Sequence, residues 1–237
     1  MKRLIVASGP MIRELLGDFM MAVCILAPIL MGIAFRFFIP VLESVLCSYF
    51  QQTQIIEPYY AVFDLMLAVM TPVMFCFAGV LVILEELDSG VAKYYFITPL
   101  EKKGYLVSRI GLPVLGAFFY TIVLLILFSL KKTEITSILG YSVSGSFMAI
   151  MISMFVVSYA KNKMEGMALV KLSGLLILGI PVVFFVDRPV QYLFAVLPSY
   201  WMAKICVSGE NWYLVPCMII STVFIYFLNL RFQKRLL

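Results

Sequence analysis

Three kinds of residue in this chain could do chemistry. Glu85 and Glu86 stand side by side at the end of a long apolar run, and Asp64 stands near the start of that run. Paired carboxylates next to lipid suggest an intramembrane hydrolase. That chemistry normally enlists His as metal ligand or base, and the chain has no His. The five Cys, at 24, 47, 76, 206 and 217, contain no C-x-x-C pair and read as neither a zinc site nor a redox motif. Gly140-Tyr-Ser-Val-Ser-Gly145-Ser146 has the glycine spacing of a phosphate loop. It lacks the Lys that would reach the phosphates, and Phe147 stands where Ser or Thr would follow. Leu81–Glu86 imitates the apolar run and acid of a second nucleotide motif, but it is more simply the end of a membrane span. No catalytic, metal-ligating or cofactor-binding residue is assigned, and the chain reads as a non-enzyme.

Asp64 carries two readings. An acid buried in a span is a candidate for proton coupling, as in an ATP-independent carrier driven by an ion gradient. The plainer reading is an interfacial acid that reaches water. Arg109 lies one turn inside the next span, where its long side chain can snorkel to the surface.

The polar connection from Glu85 to Gly104 is the strongest signal. Asp88 and Ser89 are good helix N-caps. Val91, Tyr94, Tyr95 and Thr98 follow at spacings that place them on one helical face, and Pro99 ends the helix. A short rigid element rich in aromatics suits an anchor at a protein interface. It equally suits a helix lying on lipid headgroups, and composition leaves the two even.

The elements that must position these residues follow from composition. Of 237 residues, 63% are hydrophobic and only 13% charged. A soluble fold could not hide that much apolar surface, so the surrounding medium is lipid. The predicted fold is an all-α membrane protein, one domain over residues 1–237. Its six transmembrane helices fall at about 19–40, 60–84, 105–130, 137–159, 168–186 and 212–230. Residues 9–18 read as an amphipathic interfacial helix, or as a charged start to the first span, and not as a cleaved leader. Val190–Val207 is apolar but broken by Gln191, Pro198, Ser199 and Lys204. It reads as a re-entrant pair of half-helices on the outer face, tolerable where packed against protein.

The net charge of +5 comes from basic residues at span ends, which speaks for topology and against nucleic acid. Of the 18 Lys and Arg, only Arg36, Lys131, Lys132, Arg188 and Lys204 fall on one side. The bias puts both termini in the cytoplasm. Cys47 and Cys206 then share the outer side, and whether they are bridged stays open. In the fourth span, Ser142, Ser146, Ala149 and Ser153 form a small-residue stripe. It reads as a helix–helix contact, with the lining of a translocation path as the lesser alternative.

Glu86, Asp88, Gly90, Thr98, Pro99 and Arg109 also stand where a known family has its acidic pair, glycine, Thr-Pro and later basic residue. Leu197-Pro198-Ser199-Tyr200-Trp201 is similar to a Pro-aromatic element that the family often has before its last span. On these residues the chain resembles the permease subunit of a type-2 ATP-binding-cassette exporter. It departs from the pattern at Leu87, Val91 and Lys93. The resemblance implies that residues 90–98 are a coupling helix seated in a separate cytoplasmic ATP-binding subunit. Glu86, Asp88, Gly90, Val91, Tyr94, Tyr95, Thr98, Pro99 and Arg109 would then be the coupling residues. It further implies two copies of that ATPase and a second permease, identical or related. ATP and Mg would lie on the ATPase and no cofactor in this chain. The substrate would be amphipathic or lipophilic: a drug, an antimicrobial peptide or a lipid-linked compound. The setting would be the cell membrane.

Overall fold

A computed structural model describes residues 19–91, 94, 101–131, 133–186 and 189–235. The expected interfacial helix at 9–18 lies outside them, as do Tyr95, Thr98 and Pro99. Among the described residues there is no strand, and six helices are long and apolar enough to cross a membrane. They run over Ala22–Phe50, Glu57–Asp88, Gly104–Phe128, Ile135–Tyr159, Lys163–Phe185 and Asn211–Lys234. We call these spans one to six.

Spans two and four form the centre. Each is 78% buried over its most apolar window, against 11–33% for the other four. Their sequences explain the difference. Span four carries the predicted stripe, and Ser142, Ser146, Ala149 and Ser153 are all buried. The Ser142 and Ser146 hydroxyls donate to carbonyls one turn back, Ile138 and Ser142, so these small polar groups are satisfied within the helix. Gly145, in the phosphate-loop lookalike, sits inside this helix. A Cβ there would overlap the Ala68 carbonyl of span two. The glycine thus permits the close backbone approach on which the central pair depends.

Span one is longer than expected. Its helix runs unbroken over Phe19–Phe50, through Pro28 and Pro40, rather than stopping near residue 40. At 1.5 Å per residue it measures about 48 Å, well over the roughly 30 Å of a hydrocarbon core. Its outer end is fastened by Glu43, whose carboxylate oxygens accept from the Ile55 and Ile56 amides at 2.8 and 2.6 Å. Local hydropathy could not reveal that bracing.

Span five also differs. It starts at Lys163, not near 168, and it is not one helix. An α-helix over Lys163–Ser173 gives way to a 3-10 stretch, Gly174–Ile177, and then to a second α-helix, Gly179–Phe185. The segment beyond forms two short helices, Val190–Val196 and Pro198–Ser208, before span six. This is the expected broken pair. The Ser199 hydroxyl donates to the Leu176 carbonyl at 2.6 Å, and the Cys217 thiol donates to the Pro198 carbonyl at 3.4 Å. The Pro198 end is therefore wedged between spans five and six. All five Cys are free thiols: Cys47 donates to Glu43, and Cys206 lines a separate cavity.

Candidate functional site

The connection between spans two and three is anchored at its roots. Span two continues four residues past its expected end, to Asp88. Asp88 and Ser89 therefore close this helix instead of opening the next, which corrects their reading as N-caps. The Ser89 amide and hydroxyl both donate to the Glu85 carbonyl, at 2.9 and 2.8 Å. Gly90 follows with φ of +77°, the left-handed conformation that ends helices and suits glycine. Beyond it, Val91 and Tyr94 are helical and exposed, Tyr94 by 74%.

Glu86 and Arg109, 23 residues apart in sequence, meet at the base of this connection. The Arg109 guanidinium donates from Nη2 to Glu86 Oε1, and from Nε to Oε2 at 3.1 Å. The Tyr105 hydroxyl donates to Oε2 at 2.6 Å. Arg109 is 1% exposed and Tyr105 is fully buried. The planar fork of Arg matches a carboxylate in two-point contact. Arg109 thus does not snorkel to the surface: an acid at its own depth on the neighbouring span satisfies it. A π-helical turn, Val107–Gly111, surrounds Arg109. Pro113 lacks the N–H that would close on the Arg109 carbonyl, so the regular ladder is interrupted here.

The two remaining acids reach a different element. Glu85 pairs with the Lys163 ammonium at 2.8 Å, and Asp88 accepts from the Lys163 backbone amide at 3.1 Å. Nothing in the local sequence signalled that link, because the partner lies 75 residues on.

Asp64 sits at the opposite end of span two. It is buried, and its two oxygens accept from the Leu130 and Lys131 amides at 2.8 and 3.0 Å. Arg36 donates to the Ser129 carbonyl in the same turn, at 2.9 Å. Asp64 therefore pins the end of span three, buried at the wall of a cavity. With both oxygens engaged by backbone amides, the geometry offers no support for a proton carrier. A cavity of about 150 Å³ adjoins it, bordered by Lys131, Glu134, Tyr141 and Cys206. No group of three or more metal-ligating side chains occurs among the described residues.

Two buried central spans, four peripheral ones and a wedged outer pair define an all-helical, multi-pass membrane protein. The comparison with known proteins gives the family. The family described as "Fluoroquinolones export permease protein Rv2686c-like" matches residues 11–232, and the chain belongs to it. Fluoroquinolones export permease protein Rv2686c of Mycobacterium tuberculosis (strain H37Rv) is 23% identical over 160 residues, covering 65% of this chain. The protein MT2760 of strain CDC 1551, with the same description, matches to the same extent. The match spans 64% of the length of these relatives. No solved structure matches.

Proposed function

We propose that this chain is a single permease domain, the transmembrane half of an ATP-driven exporter in the cell membrane. Its polar connection after span two would dock a separate cytoplasmic ATP-binding subunit. The observation that carries this reading is the Glu86–Arg109–Tyr105 lock. It holds both roots of the connection to the central span while leaving Val91 and Tyr94 exposed. A connection built only to lie on headgroups has no need of a buried ion pair beneath it. Two permease copies and two ATPase copies would make the transporter, with ATP and Mg held by the ATPase. The relatives are named for fluoroquinolone export, so an amphipathic drug of that kind is the first substrate to test. Exposed apolar side chains along spans one, three and six suit lipid or a second permease.

Tyr94→Ala is the test. Loss of a central aromatic anchor costs about 2 kcal/mol of binding, or about thirtyfold in affinity. The variant should insert and stay monodisperse, yet lose co-purifying ATPase and drug efflux together. Full ATPase recovery with full efflux would reduce the segment to an interfacial helix.

Topology is checked separately. Leu237→Cys in intact cells should resist an impermeant thiol reagent, and Leu193→Cys should react, as the basic bias requires. Labelling at 237 from outside would reverse the assignment of the cytoplasmic face.

A further inference from the structure

The two helices of span five both touch span two, but each has a further anchor of its own. The cytoplasmic helix, Lys163–Ser173, begins at Lys163, which Glu85 and Asp88 grip from the end of span two. Its first turn is closed independently. Asn162 accepts from the Glu165 amide, and Glu165 accepts from the Lys161 amide, each at 2.8 Å. That closure makes the end a rigid handle. Elsewhere only Gly166 and Ser173 are fully buried, and Met167, Leu169 and Val170 pack partly buried against the core.

The outer helix, Gly179–Phe185, is fixed to the re-entrant pair. A Cβ on Gly179 would overlap the Ser199 hydroxyl and the Tyr200 backbone nitrogen. Ser199 also takes the Leu176 carbonyl. Between the two lies the 3-10 stretch Gly174–Ile177, and around Gly174 a Cβ would meet nothing within 4 Å. A 3-10 interruption inside a long helix marks a hinge or a strained sequence. Here it falls where two separately anchored helices join.

We propose that span five is a two-part rod pivoting at residues 174–177, and that Lys163 is the positioning residue that makes its cytoplasmic half follow the end of span two, from which the docking connection springs. This deepens the exporter reading on which it rests. Movement at the docking connection would swing residues 163–173 while residues 179–185 stay with the re-entrant pair. The cytoplasmic side of the bundle could then open without disturbing the outer side.

The test reads geometry and needs no partner subunit, so its outcome is independent of whether the connection docks an ATPase. Place spin labels in full-length chain in lipid nanodiscs, diluted with unlabelled chain, with Cys47 and Cys206 replaced by Ser. One pair, Ala168→Cys with Leu230→Cys, reports the cytoplasmic half of span five against span six. The other, Phe185→Cys with Val215→Cys, reports the outer half. Lys163→Ala should broaden the cytoplasmic distance distribution about twofold, as expected of a helix whose charged anchor is gone and whose other contacts are only partly buried, and leave the outer one unchanged. Glu85→Gln should act in the same direction more weakly, and Lys163→Arg should restore the narrow distribution. Equal broadening of both pairs would mean that span five moves as one rod, and no change in either would mean that Lys163 holds nothing. Either result overturns the proposal. If Lys163→Ala fails to give monodisperse protein, Glu85→Gln carries the same two-pair comparison.

Discussion

Arg109→Ala is expected to be among the most damaging single changes in this protein. It leaves the Glu86 carboxyl buried with Tyr105 as its remaining side-chain donor. Removing one partner of a buried ion pair costs roughly 3–5 kcal/mol, mostly for the stranded charge. That is a large fraction of the roughly 5–15 kcal/mol by which folded domains are stable. The melting temperature in mild detergent should fall steeply, and folded yield with it. Arg109→Lys should be intermediate, because a lone ammonium cannot make the two-point contact. The informative control is Glu86→Leu with Arg109→Met. Replacing both charges by apolar groups of similar size is often neutral for stability. This variant should recover most of the melting temperature, yet efflux should stay low, because the roots of the connection would no longer be fixed in register. Full efflux in the double variant would make the lock merely structural, and an unchanged melting temperature in Arg109→Ala would remove the case for the lock altogether.

The lock also shows what the sequence discloses and what it withholds. The number of spans was legible because hydropathy over about 20 residues is a local property. The break of residues 190–208 into two short helices was legible because Pro198, Ser199 and Lys204 interrupt an apolar run that otherwise has the length to cross. Glu86 and Arg109 were each singled out, but not as partners. Their meeting follows once two spans are joined by a short connection: opposite charges at equal depth should pair rather than snorkel apart. Asp88 was misread because helix-capping chemistry is ambiguous in direction. The same Asp-Ser-Gly can open a helix or close one, and the positive φ at Gly90 decides for closing. The partners of Lys163 and Asp64 could not be read, since each lies in a distant part of the chain. The extension of span one was hidden for the same reason, because the Ile55 and Ile56 amides that hold its Glu43 lie across a turn.

Gly179 was equally invisible, a glycine in an apolar run with no turn signal around it, and it carries the other large expected effect. Its α-carbon lies against the first turn of the helix Pro198–Ser208. An added Cβ would overlap both the Ser199 hydroxyl and the Tyr200 backbone nitrogen, and would lie 3.0 Å from the Ser199 carbonyl carbon. A hydroxyl can rotate away, but a backbone nitrogen moves only with its helix. Gly179→Ala should therefore cost about 1–3 kcal/mol, the usual range for overpacking a closed site, and Gly179→Val more. The damage should extend beyond packing. If the segment is re-entrant, its backbone break at Leu197–Pro198 is tolerated only while protein covers it, and each polar group bared to lipid would cost several kcal/mol. Gly174→Ala is the matched control, since no atom lies within 4 Å of its Cβ position. It should leave the melting temperature unchanged or slightly raised. Ser199→Gly introduced with Gly179→Ala should rescue only in part, because it removes the hydroxyl overlap and leaves the Tyr200 nitrogen in place. Thermal unfolding of the four variants in detergent orders them directly. If Gly179→Ala melts with Gly174→Ala, the re-entrant helix is not wedged against span five, and the fixed outer end of the proposed pivot goes with it.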